Sequence, residues 1–412
     1  MKSFFPGLIL LAAFPSTVLA QAPDGAEFQV NTYTTNFQYG LAVASGGSGN
    51  FVVVWASDGQ DGSNFGIFGQ RFSASGLPQG SEFQVNTYAT GKQYSPAVAS
   101  DANGNFVVVW QGDGEDGSGN GIFGQRFSAL GVPQGPEFRV NSYTTFTQNR
   151  PAVASDSGGN FVVVWQSDFQ DASGVGVFGQ RFNNAGVAQG SEFQVNSYTT
   201  GFQSTAAVAS DPGGNFLVVW ASSAPQDGSG SAVMGQRFNA AGIPQGSEFR
   251  VNSYTTGAQF APKVSADANG NFVVVWLSVQ DGSSSGVVGQ RLDASGVLQG
   301  SEFQVNSYTT GRQAHAAVSS DADGNFAVVW DSAFPDGSSY GIFGQRFNAL
   351  GVPQGGEFGI NSHTTGSQIS PAVDSDANGN FVVAWNSAGQ DGSGYGVFGQ
   401  RYGDLIFKDG FQ

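Results

Sequence analysis

The chain contains no cysteine. Disulfides, thiolate nucleophiles and Cys-ligated metal clusters are therefore excluded, and stability outside the cell must come from burial and hydrogen bonding. Histidine is almost as scarce, with only His315 and His363 in 412 residues. A multi-histidine metal centre is excluded. A Ser–His–Asp triad would have to use one of these two, and neither lies in a recognisable motif, so no catalytic residue is singled out. Charge is sparse and lopsided: 15 Lys and Arg stand against 31 Asp and Glu, a net −16. Such a surface repels nucleic acid and anionic lipid. Helical periodicity is absent, and no Gly-rich phosphate loop opens a helix. The one apolar stretch, Phe4 to Phe14, is too short to span a bilayer. With Lys2 before it and small residues at Val18 and Ala20, it reads as a signal peptide over 1–20, cleaved before Gln21. The expected product is a secreted protein without a membrane span, placed outside the cell, on its surface or in the periplasm.

What is abundant is glycine (62) and phenylalanine (36), and both recur with a period. The tryptophans Trp55, Trp110, Trp165, Trp220, Trp276, Trp330 and Trp385 are spaced by 55, 55, 55, 56, 54 and 55 residues. Each ends an apolar run such as FVVVW (51–55). A Gly/Ser-rich loop with one recurrent Asp follows, then a GQR triplet, a turn such as ASGLPQGS (74–81), and an EFQVN-type strand. The second period shows four strand candidates. PAVAS (96–100) is small and apolar. FVVVW (106–110) is apolar at every position, as a strand buried on both faces should be. GIFGQRF (121–127) is mixed, and EFRVN (137–141) alternates.

Seven copies of a four-strand unit predict an all-β, seven-bladed propeller of antiparallel blades over residues 21–402, with 403–412 as a C-terminal tail. PAVAS suits the crowded innermost position and FVVVW the middle of a blade. An open solenoid would carry atypical capping repeats, and the end repeats here resemble the rest. The chain opens on an EFQVN strand (27–31) and its last repeat lacks one. Those residues are therefore expected to close the last blade by pairing near 396–402.

DGSGNGIFGQRF (116–127) and DGSGYGVFGQRY (391–402), together with the EFQVN strands, resemble repeats of secreted bacterial adhesin-like proteins, including large calcium-dependent ones. The resemblance covers residues 27–402 and implies secretion, adhesion and calcium. The tail DLIFKDGFQ (404–412) is similar to a short aromatic-acidic C-terminal tail of some secreted proteobacterial proteins, which implies a sorting element or a frayed end.

Two recurrent residue types carry candidate chemistry. The first is the loop Asp: Asp61, Asp116, Asp171, Asp227, Asp281, Asp336 and Asp391. A carboxylate beside Ser and Gly is a ligand for calcium or a glycan, or the anchor of an Asx-turn; a feature present in every blade points first to the turn. Asp58, Asp113 and Asp168 precede three of these acids by three residues. The pairs Asp58/Asp61, Asp113/Asp116 and Asp168/Asp171 are the places where a cation would relieve repulsion. The second type is the tyrosine of the connection between repeats: Tyr33, Tyr88, Tyr143, Tyr198, Tyr254 and Tyr308, with His363 in the seventh copy. These rings stack on sugars or pack over a blade edge. Propeller connectivity puts both sets on one face, and the DANGN (101–105) and ASGLPQGS turns on the other. Arg in GQR and Glu in EFQVN are expected to form a cross-strand ion pair.

The expected function is a non-enzymatic binding or adhesion propeller for a glycan, surface polymer or protein, assisted by calcium. The alternatives are a carboxylate-dependent glycan hydrolase or lyase, and a purely structural surface protein. If the paired acids hold calcium, calorimetry shows a heat of binding and a chelator lowers the melting temperature; a protein indifferent to both holds none there.

Overall fold

The computed structural model describes residues 21–223, 226, 228–282, 284–333 and 339–403. The expected signal peptide over 1–20, the expected tail beyond Gly403, and the loop acids Asp227 and Asp336 lie outside the described residues.

Each apolar run folds as a strand buried at nearly every position, for example Phe106–Asp113. It lies between an inner strand, Gln93–Ser100, and the mixed strand Asn120–Phe127. The outermost strand of this blade, Phe138–Arg139, is only two residues long. EFRVN therefore forms a shorter regular ladder than its alternation suggests: beyond Arg139 the Val140 N–H still donates to the Ile122 carbonyl, but the Ile122 N–H is taken by the Asn141 side chain in place of a backbone carbonyl. The inner strand is longer than PAVAS and carries a bulge between Tyr94 and Ala97. This pattern recurs as seven four-stranded antiparallel sheets. The inner strands adjoin in ring order, and Gln368–Ser375 of the last blade meets Gln38–Ser45 of the first. The fold is a closed seven-bladed β-propeller.

Core packing lies between blades. Trp110 is fully buried and packs with Val52, Val54 and Ile67 of the preceding blade. Trp55 of blade one packs in the same way on Val382, Ala384 and Val397 of blade seven. Phenylalanines reinforce each joint: Phe106 stacks on Phe127 at 5.0 Å within blade two, and Phe83 of blade one reaches Phe127 at 5.4 Å.

Polar contacts stitch the same joints at both faces. Glu82 Oε2 accepts from the Thr32 N–H at 2.6 Å and from its hydroxyl at 2.9 Å. Equivalent bonds join Glu137 to Thr87, Glu192 to Ser142, Glu248 to Ser197, Glu302 to Ser253, Glu357 to Ser307 and Glu27 to Ser362. The expected Arg–Glu ion pair is therefore corrected. Where the blade-five ladder resumes after its bulge, Arg291 faces Gln299 and not Glu302. The arginines instead reach the next blade: Arg71 Nη1 donates to the Ala129 carbonyl at 2.8 Å. That reach requires Gly131, at φ +76°, where a Cβ would stand 2.6 Å from the Arg71 side chain.

The first and last segments clasp the ring as expected. Phe28 pairs with Gly399 and Gln29 with Phe398, so Phe28–Gln29 is the outer strand of blade seven. Arg401 is ion-paired to Asp24, and Glu27 is bonded to Ser362. Deleting residues 21–31 removes this strand, the buried Val30 and the Phe28 contact to Phe72. We expect a loss of roughly 3 kcal/mol or more from the apolar burial alone. The bared edge of Tyr395–Tyr402 should also associate. Thermal melting with light scattering checks both; an unchanged melting temperature would refute the clasp's role.

Candidate functional site

The loops after the apolar strands and the connections between blades emerge on one face, the two hairpin turns of each blade on the other. On the loop face, contacts between the two kinds of segment are direct: the Asp113 N–H donates to the Lys92 carbonyl at 2.9 Å.

The recurrent Asp is built into its own turn. Asp61 Oδ1 accepts from the Ser63 N–H at 2.9 Å, and Asp116, Asp171 and Asp391 do the same with Ser118, Ser173 and Ser393. The second oxygen lies over the glycine that opens the next strand; a Cβ on Gly66 would stand 2.6 Å from Asp61 Oδ2. Asp281 sits over Gly286 in the same way. These are Asx-turns whose carboxylates face the blade. Asp58, Asp113 and Asp168 end the apolar strands, and burial raises the Asp168 pKa. Among the described residues, no three His, Asp or Glu side chains gather in a way that could hold a metal ion.

The tyrosine connections are equally preformed. Asn31 Nδ2 donates to the Tyr33 carbonyl at 2.9 Å, and Gln38 Nε2 to the Thr35 carbonyl at 2.8 Å. The same pair brackets Tyr88, Tyr143, Tyr198, Tyr254, Tyr308 and His363. Of the six tyrosines only Tyr254 is exposed; the others are half-buried.

The exposed aromatic side chains lie elsewhere on the same face. Among the described residues they are Phe37, Tyr39, Phe146, Phe169, Phe202 and Tyr254. Exposed hydrophobics on the opposite face are aliphatic, such as Leu77, Leu130 and Leu350. The phenylalanines were missed by reading the repeat for what recurs. Their signal is a departure from it: Phe146 and Phe169 stand where other blades have Gly91 and Gly114.

A second set of non-repeated residues lines the axis. A channel cavity of about 420 Å³ is walled by inner-strand ends and DANGN-type turns. Lys263 replaces the alanine of PAVAS and is enclosed by protein while its surface stays open to water. Burial, then the charge of Arg150 on the inner strand of blade three, lowers its pKa. Asp374 bridges blades by accepting from the Ser45 N–H and the Ser319 hydroxyl, and burial pushes its pKa up to about 6. His315 Nδ1 lies 2.6 Å from Oδ2 of the fully buried Asp331, which also accepts from the Ser370 N–H.

No protein-family model matches the chain, and no curated protein is significantly similar to it. Solved structures match its shape. A protein of unknown function from Dyadobacter fermentans aligns at a TM-score of 0.56 and 12% identity, covering 93% of this chain and 99% of that one. The NanB sialidase of Streptococcus pneumoniae aligns at 0.50 and 8% identity, covering 94% and 71%. At these identities the likeness is one of fold. Among the described residues, no helix is long and apolar enough to cross a membrane.

One inter-blade joint breaks the pattern. In the other described blades with this contact, a loop glutamine donates to the Glu of the outer strand, as Gln226 does to Glu248 at 2.8 Å and Gln390 to Glu27 at 2.6 Å. Blade two has Glu115 there, against Glu137. Burial, a hydrogen bond to Glu137 and the charges of Glu137 and Asp116 push the Glu115 pKa up to about 9. An acid raised from 4.5 to about 9 on folding stays protonated in the fold while the unfolded chain ionises. It therefore costs stability progressively as pH rises through that window, and nothing below it. Glu115→Gln keeps a donor to Glu137 at every pH and so removes this slope. The melting temperatures of parent and variant should coincide near pH 4 and diverge, variant higher, towards pH 9; parallel curves would refute the shared proton.

Proposed function

We propose that this protein is a secreted, non-enzymatic binding propeller that presents its loop face to a glycan. The observation that carries this reading is the segregation of every exposed aromatic side chain among the described residues to that face. Aromatic rings set among Thr, Ser, Asn and Gln combine stacking with hydrogen bonding, which is what sugar recognition needs. The hydrogen-bonded connections hold this surface in place before a ligand arrives, which lowers the ordering cost of binding. A sialidase has a similar fold, and that fold is therefore compatible with sugar ligands. Calcium enters the proposal as an ordering ion for the blade-one to blade-three loops, where one carboxylate of each acid pair already anchors a turn.

A second reading, a carboxylate-dependent glycan hydrolase or lyase, has one observation in its favour. His315 and Asp374 are non-repeated residues of the inner strands that ring the axis, where a single active site would sit, and His315 is bonded to the fully buried Asp331 behind it. Release of reducing ends from a captured polysaccharide, abolished by Asp331→Asn, would favour it.

The absence of cysteine permits a direct test of the face. Thr200→Cys on the loop face and Ala129→Cys on the turn face each give one attachment point, both exposed. A polyethylene-glycol maleimide on the first should abolish capture on a glycan array, with or without calcium. The same label on the second should leave capture intact. Loss with the second label alone would move the ligand to the opposite face.

A further inference from the structure

The connection into each blade turns through a residue at positive φ. Five blades use glycine there, Gly91, Gly201, Gly257, Gly311 and Gly366, at φ between +77° and +79°. Blade one uses Asn36, and blade three uses Phe146, at φ +63°. The Asp loop repeats the theme. Gly59, Gly114 and Gly389 stand at +70° to +75°, and the blade-three counterpart is Phe169 at +56°. Asparagine tolerates this region; a bulky aromatic residue is disfavoured in it. Blade three thus carries backbone strain twice over that its neighbours avoid.

Core packing does not repay that strain, because the two rings are 52% and 55% exposed. They meet each other, with centroids 5.3 Å apart and planes at 58°. Phe202, 56% exposed, stands across the same loop beside Gly174, whose carbonyl accepts from the Phe169 N–H at 2.7 Å. Strain held at an exposed surface, against the preference of the repeat, points to a function for the side chains. Three half-exposed rings offer roughly 300 Å² of apolar surface. That falls well short of the ~800 Å² per partner of a stable protein interface and suits a small rigid ligand. Asp168 and Asp171 flank Phe169 in the sequence, in a chain of net charge −16, so the complementary ligand is uncharged.

We propose that Phe146 and Phe169 form a stacking platform for an uncharged glycan, found among the described residues in blade three alone and extended by Phe202, with Asp168 accepting hydrogen bonds from sugar hydroxyls. This rests on the glycan-binding reading above and narrows it to one site and one class of ligand. The test replaces the rings with what sibling blades carry: Phe146→Gly with Phe169→Gly, and, as a second variant, Phe146→Asn with Phe169→Gly. Affinity gel electrophoresis through β-glucan, mannan and arabinan, with polygalacturonate as the anionic comparison, reads binding; thermal melting reads the fold. The platform predicts at least a tenfold loss of retention in both variants, with a melting temperature equal to or above the parent's. Unchanged retention overturns the platform and leaves glycan binding elsewhere on the face. A clear fall in melting temperature in both variants makes the rings structural and overturns it too. A parent retained only by polygalacturonate overturns the uncharged ligand. A parent retained by no polysaccharide removes the glycan reading itself, and capture of a protein partner would then replace it.

Discussion

A four-stranded sheet of this protein has no interior of its own. Its apolar strand is buried on both faces, and each face is covered by another blade: Trp110 rests on blade one as Trp55 rests on blade seven. Burial is therefore complete only when the last blade covers the first. Ring closure is the constraint from which the rest follows. It explains why the buckles from Glu to Ser or Thr run through all seven joints, and why the joint at Glu27 and Ser362 is made by the first described segment of the chain. A gap at that joint would leave an apolar face and a strand edge open at once.

The same constraint explains the uniformity of the repeats. Every blade must be a good neighbour on both sides, so residues at the joints recur: the tryptophan, the stacked phenylalanines, and the arginine that lies over a glycine of the next turn. Recurrence in such a ring is the mark of an inter-blade duty. The loop residues Asp61, Asp116, Asp171 and Asp391 instead recur for a duty within their own blade. Their carboxylates are absorbed by a serine N–H and packed against the next strand, and the tyrosine connections are held by the same Asn and Gln in each blade.

Function is more legible where the repeat fails. Glu115 stands where glutamine belongs and places two carboxyl groups at one joint. Lys263, Asp374 and the His315–Asp331 pair replace small or neutral residues along the axis. Phe146 and Phe169 replace glycine and asparagine at turns that disfavour them. These departures share the loop face or the channel, the two places where a side chain can change without disturbing a neighbouring blade.

Periodicity of tryptophan, apolar runs and turn residues determined the fold class, the blade count, the order of strands within a blade and the clasp, because each is a matter of which segments must be buried and how many copies exist. Composition determined what chemistry is absent. The tertiary structure alone decided which side chains face each other. The Arg and Glu of adjacent strands looked like partners, but a bulge separates them, and the Arg reaches the next blade while the Glu reaches back to the one before. The recurrent Tyr and Asp looked like a binding surface, but their exposure depended on how the connection folds over the loop. The exposed rings of blade three were visible as letters out of place, yet their pairing rests on a contact between Phe146 and Phe169, two segments brought together by the turn of the chain across a blade. Burial patterns are local and repeat along a sequence; contacts between loops depend on register and turn geometry, which no single segment encodes.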